Sequence, residues 1–332
     1  MNACFACSPQ SGLAIGRHVS MPRSWSPMNR TELALRAMKA ALLVRQQLQI
    51  ASVVPVPVFD VAAKLGLEVW FVDVPTLEGM YVRDDVPTVL ITSHRPAGRQ
   101  AMTCAHEIGH HVFGHGSVID EYVAAEKVES NSADEFLANT FAANLLMTRG
   151  AIAQGFLARG ISATDPSPEQ VYTVAWWLGV GYTALLYHMR SALRIMPRVR
   201  ADALLQVSPK EIRAGIIDRL HLPYSAGELI PVDTGWTGRA IDGQVGDMVF
   251  LPQGVCLEGA CGTLRGRTLE LRVPGIGRVH DEDTGWAAYV RVSRRGYAGL
   301  ADYRHLEDPE VRNRDGPTSA AHIGRESRDD DP

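Results

Sequence analysis

An HExxH spacing, His106-Glu107-Ile108-Gly109-His110 inside the run 101–114, constrains this chain more than any other feature it carries. Residues four apart on an α-helix stand one above the other, so His106 and His110 can offer two imidazole nitrogens to one metal ion. Zinc is the expected ion. Glu107, next to the first ligand, can then reach a water on the open coordination position and act as general base. The surrounding residues predict a helix with one buried face: Pro96 suits an early helical position, Met102, Ala105, Ile108 and Val112 recur at helical spacing, and Gly114 suits the helix end. The blander reading, two satisfied polar histidines on a half-buried helix, sets a specific motif down to chance. His111 and His115 fall off the face of His106 and His110 and read as surface histidines or as outer partners of the ligands.

A catalytic zinc site needs a third protein ligand and an open fourth position. The candidate is Glu135, in a segment over 132–147 that reads as a strong helix with Ser132 as its N-cap. Glu135 is also where a capping box would put its acidic residue, so that reading stands beside the ligand reading. In favour of a ligand, Ala138 and Ala142 lie on the same face and would let this helix approach the motif helix closely. Asn139, one turn below Glu135, could hold the free ring nitrogen of a ligand histidine and fix its tautomer. Asp134, Asp120, Glu121, Glu126 and Glu129 are competing carboxylates. They fall in an acidic, loop-like segment or point off this face, and most of them read as solvated charge.

In order along the chain, residues 57–69, 77–81, 87–91, 99–110 and 135–147 resemble the ImmA/IrrE family of zinc metallopeptidases, and the resemblance spans about residues 31–190. It implies His106, His110 and Glu135 as metal ligands and Glu107 as the base. Two positions depart from the family pattern: Cys104 stands where an apolar residue is usual, and Thr148 follows Met147 where a proline is common. Neither touches the chemistry. The resemblance further implies an endopeptidase that cuts helix-turn-helix repressors and relieves repression in a stress or mobile-element response. Some family chains carry such a domain fused in front. Here the leader is too short for one, so a separately encoded repressor is the expected partner.

With 332 residues, 46% hydrophobic and 21% charged, the chain is long enough for two domains. A net charge of -4 argues against nucleic acid as the main ligand, and no apolar run has the length of a membrane span. Five scattered cysteines make no disulfide framework and point to the reducing cytoplasm. Residues 1–29 read as a disordered leader whose lone Cys4 and Cys7 pair is a weak metal or redox signal. Helices are predicted over 31–49 and 55–66, and strands over 67–71, 80–83 and 86–92, with Gly79 and Asp84-Asp85 as turns between them. An edge of this sheet could pair with an extended peptide over the metal.

Helices over 151–159 and 169–178 follow, then a turn at Gly179 into a further helix ending near Met189. That pair could imitate a DNA-binding helix-turn-helix, but its second helix carries Ala184, Leu185, Leu186 and Met189, which suits packing. Arg190, Arg194, Arg198 and Arg200 read as a solvated basic stripe. After a short helix opened by Ser208, strands over 245–251, 268–273 and 286–292 predict a compact β domain, with Cys256 and Cys261 as thiols. Residues 306–332 read as a disordered tail.

The expected fold class is therefore α+β: a zincin-like metallopeptidase domain over 30–200, with helices and a small sheet, followed by a small β-rich domain over 201–305. The alternative is a metal-braced sensor or binding protein that regulates transcription without proteolysis. A structural site needs no base, so Glu107 weighs against it. A small-molecule metallohydrolase would instead need a deep closed pocket. For the oxyanion donor, Tyr81, Tyr122 and His188 remain open.

Overall fold

The computed structural model describes residues 29–121, 132–222 and 227–306. Apart from Asn29 and Leu306, the expected leader and tail lie outside the described residues, as do Cys4, Cys7, Tyr122, Glu126 and Glu129.

Asn29 accepts from the Thr31 amide and starts α1 (Arg30–Gln47), which buries Leu33, Ala37, Ala41 and Val44 at three- and four-residue spacing. The helix α2 (Val58–Lys64) leads into β1 (Glu68–Val72), β2 (Leu77–Val82), β3 (Thr88–Thr92), α3 (Ala97–Phe113) and β4 (Val118–Glu121). Helices α4 (Ala133–Leu146), α5 (Arg149–Leu157), α6 (Pro168–Leu178) and α7 (Tyr182–Tyr187) come next, the last continued by a π-helical turn over His188–Ala192. After α8 (Arg198–Leu205) and α9 (Pro209–Arg219) the chain turns to short strands: β5 (Leu229–Pro231), β6 (Ile241–Gln244), β7 (Met248–Phe250), β8 (Cys256–Glu258), β9 (Gly262–Arg265), β10 (Thr268–Leu271), β11 (Gly275–His280), β12 (Ala287–Ser293) and β13 (Gly299–Leu300). The fold class is α+β. No helix among the described residues is long and apolar enough to cross a membrane.

The first sheet has the order β13-β1-β3-β2-β4, with β1 and β3 parallel and the other pairs antiparallel. The helix α3 lies on its face, and α4 fits between α3 and α1. The Arg45 guanidinium locks this layer: it is buried and donates to the carbonyls of Leu145, Ala51 and Val54 at 2.5, 2.7 and 2.5 Å. Burial lowers its pKa to about 10. Thr148 marks a departure from the family pattern that has a local reason. Its hydroxyl caps α5 by accepting from the Ala151 amide, and donates to Ser52 O at 2.5 Å.

Three expectations are corrected here. Pro96 is the N-cap of α3 rather than a residue inside it. Gly79 is not a turn but sits inside β2, paired with Ile91 of β3. Asp120 and Glu121, expected in a loop-like acidic segment, lie in β4, the strand at one edge of the sheet.

The helix pair around Gly179 packs: α7 buries Tyr182, Leu185 and Leu186, and Met189 is also buried. In the basic stripe, Arg190 pairs with Asp202 at 2.9 Å and Arg200 with Asp165 at 2.8 Å. The later strands form two four-stranded sheets, β5-β7-β10-β9 and β6-β12-β11-β8, around Trp236, Val249, Leu269, Leu271, Val290 and Val292. Cys261 is buried there and Cys256 exposed, both as free thiols. These strands rest on the helices, with Tyr172 Oη donating to Leu229 O and Trp177 Nε1 to Thr237 O, both at 3.0 Å. Asp242 sits between Arg291 and Arg239, and Arg291 also reaches Asp60 of α2. Burial pushes the Asp242 pKa up, but the hydrogen bonds and charges of the arginines outweigh it and leave it at about 2. The last strand, β13, pairs with β1 and completes the first sheet.

Candidate metal centre

The two helices that carry the motif residues touch at their smallest side chains. A Cβ built on Gly109 of α3 would stand 2.9 Å from Ala138 Cα of α4, so only glycine permits this approach. Ser132 caps α4 by accepting from the amides of Asp134 and Glu135, which puts both carboxylates on its first turn. The Glu135 carboxylate is turned toward α3: Oε2 lies 3.2 Å from His106 Nε2 and Oε1 lies 3.4 Å from His110 Nε2. The two Nε2 atoms are 2.9 Å apart. His110 is fully buried, and the side chains of His106 and Glu135 are 8% and 18% exposed, so the cluster opens to solvent on the Glu135 side.

The residues present fit a metal ion. Donors about 2.0–2.1 Å from a tetrahedral ion stand roughly 3.3 Å apart, close to the 2.9, 3.2 and 3.4 Å found here. The tautomer of His106 agrees. Its Nδ1 is 3.1 Å from Asn139 Oδ1, an acceptor, so Nδ1 carries the proton and Nε2 presents its lone pair. Two imidazoles and a carboxylate are the ligand types of a catalytic zinc site, and His106, His110 and Glu135 form a group able to hold a metal.

Glu107 is fully buried under β2. A Cβ on Gly79 would lie 2.5 Å from Glu107 Oε1 and 2.4 Å from Thr103 Cγ2, so the missing side chain at Gly79 makes the room in which the carboxylate sits. Sequence reasoning missed this part of the site. We expect Gly79→Ala to displace the carboxylate by about 1 Å and to lower activity roughly 10²-fold. Zinc retention should match the wild type, because neither atom in the clash belongs to a metal donor. Parallel measurement of turnover and bound zinc checks this, and loss of zinc with the activity would count against it. Cys104, the other departure from the family pattern, is buried in the core, where burial and then the Glu107 charge raise its thiol pKa.

The remaining candidates fall elsewhere. Tyr81 is buried, and its hydroxyl lies 3.0 Å from His111 Nδ1; burial, then the Arg83 charge, lowers the His111 pKa. His188 Nε2 bonds Met147 O at 3.0 Å, and burial brings its pKa down to about 4, so it serves as a core histidine. Of the two readings of His115, surface residue or outer partner of a ligand, its contacts fit the second. Its Nδ1 lies 2.9 Å from His110 Nδ1, and its Nε2 lies 3.2 Å from Asp134 Oδ1. Burial lowers its pKa.

Residues 62–190, from α2 through the π-helical turn, match the model of the Peptidase_M78 family, described as the IrrE N-terminal-like domain. Residues 62–190 belong to this family. The matched segment thus contains His106, His110 and Glu135, the group able to hold a metal, and starts later than the resemblance at residue 31 suggested. A solved structure described as a Mycobacterium tuberculosis transcriptional regulator is similar at 16% identity and a TM-score of 0.33, over 52% of this chain and 54% of that one. The chain therefore spans about half the length of that protein. No curated protein gives a significant match.

Proposed function

We propose that this chain is a zinc-dependent endopeptidase that cuts a separately encoded helix-turn-helix repressor, and so relieves repression in a stress or mobile-element response. The observation that carries the peptidase reading is the convergence of His106 Nε2, His110 Nε2 and the Glu135 carboxylate within 4.8 Å of one another, with Glu107 adjacent on the same helix. Zinc held by these three residues would supply Lewis acidity, which makes water acidic near neutral pH and polarises a scissile carbonyl. The chain's own residues do the rest. Asn139 keeps the His106 ring in the tautomer that ligates. The Glu107 carboxylate takes a proton from the attacking water as its oxygen bonds to the carbonyl carbon, and returns that proton to the amine nitrogen as the C–N bond breaks. Its pocket under Gly79 holds it in place for both transfers.

The edge strand β4 offers main-chain groups to which an extended peptide can add. That mode suits a protein substrate. The repressor as substrate rests on the family resemblance, and the free thiols fit a reducing compartment such as the cytoplasm. We also keep a boundary near residue 200 as a proposal, since every residue of the site lies before it. The test is to incubate the zinc-loaded chain with repressors encoded in its own genomic neighbourhood. Cleavage by the wild type but not by Glu107→Gln supports the reading, and intact repressors with every candidate would oppose it.

A further inference from the structure

We infer that His115 and Asp134 are positioning residues: they fix which ring nitrogen of His110 presents its lone pair to a metal. The inference rests on the metal-centre reading above and assigns two residues that the motif does not include.

The argument starts from how α3 ends. Gly114 takes the left-handed conformation, the Gly114 amide bonds His111 O, and the His115 amide bonds His110 O. This is a Schellman motif, whose second bond ties the residue after the glycine to the carbonyl five positions back and brings the two side chains together. Here those residues are His115 and His110, with Nδ1 atoms 2.9 Å apart. The same turn leaves His115 Nε2 3.2 Å from Asp134 Oδ1 on the first turn of α4. The His115 side chain is only 10% exposed, so few waters compete for these contacts.

Proton placement follows from donor and acceptor types. An ionised carboxylate only accepts, so the nitrogen facing Asp134 carries a hydrogen. The neutral His115 ring then has its lone pair on Nδ1, and accepts from His110 Nδ1–H. His110 is left with its lone pair on Nε2, the nitrogen that faces His106 and Glu135. Asn139 does the same for His106 with an amide oxygen. Neighbouring residues on one helical turn thus serve the two halves of the centre: Glu135 offers a donor, and Asp134 orients one through His115. Groups that orient ligand imidazoles in this way typically carry roughly 10- to 100-fold in metal affinity.

The test measures zinc dissociation constants of the full chain by chelator competition, together with the imidazole tautomers of the zinc-free protein by long-range 1H–15N NMR. His115→Leu is expected to bind zinc roughly 10- to 100-fold more weakly and to give His110 a mixture of tautomers. His115→Asn, whose side-chain oxygen can stand near the former Nδ1, should recover part of the affinity. Asp134→Ala should weaken the wild type but add nothing in the His115→Asn background, because its route to the metal runs through His115. Unchanged affinity and tautomer in His115→Leu would overturn the inference. If that variant melts far below the others, Asp134→Ala decides: weaker binding supports the relay, and wild-type binding overturns it. A wild type that takes no zinc, or a Glu135→Gln variant that takes as much as the wild type, overturns the metal reading and the relay together. Loss in Glu135→Gln without loss in His115→Leu or Asp134→Ala removes the relay alone.

Discussion

Glu107→Gln should bind zinc as tightly as the wild type and cleave protein substrate roughly 10²- to 10⁴-fold more slowly. The two halves of this result have separate causes. The group able to hold a metal is His106, His110 and Glu135, so an amide at position 107 leaves that proposed donor set intact. The amide is nearly the same size as the carboxylate and fits the space under Gly79. It has no basic oxygen, however, so the attacking water keeps its proton and the leaving amine receives none. Zinc analysis beside a turnover assay reads both halves. A variant that keeps full activity would remove Glu107 from the chemistry.

Glu135→Gln should fail in the other order, losing metal first. A neutral amide is a poor ligand, and the exchange removes the one negative charge among the three donors. The loss in zinc affinity should exceed the roughly 10- to 100-fold that outer partners of a ligand cost, and cleavage should vanish with the metal. Asp134→Asn serves as the comparison, because it is the neighbouring carboxylate on the same turn and reaches the centre through His115. Normal zinc retention by Glu135→Gln, with complete loss in Asp134→Asn, would reassign the third ligand and restore the capping role to Glu135.

The features legible in the sequence were the local ones. His106 and His110 are one helical turn apart, and helical periodicity alone puts them on one face. The close approach of α4 was legible in Ala138, although its counterpart Gly109 became visible only with both helices in place. Gly79 was misread because a glycine between apolar runs usually marks a turn. Its reason here is tertiary: the Glu107 carboxylate needs the space a side chain would fill. For His115 the sequence left two readings open, surface residue or outer partner of a ligand, because position along the helix does not show how the left-handed turn at Gly114 folds the chain back over the last turn. The signal was present in that glycine, since a residue just past a helix-ending glycine lies beside the final turn and not on the wheel. The pairing of β13 with β1 joins strands far apart in the chain, and nothing in either short segment announces it.

The zinc K-edge absorption spectrum of the loaded full chain tests the centre most directly, because it reports the atoms around the metal without reference to any substrate. Ligation by His106, His110 and Glu135 predicts one ion per chain in a shell of nitrogen and oxygen only, at about 2.0–2.2 Å, with the outer scattering of two imidazole rings. A sulfur shell near 2.3 Å would put the metal on cysteine instead. That result would contradict the centre described here.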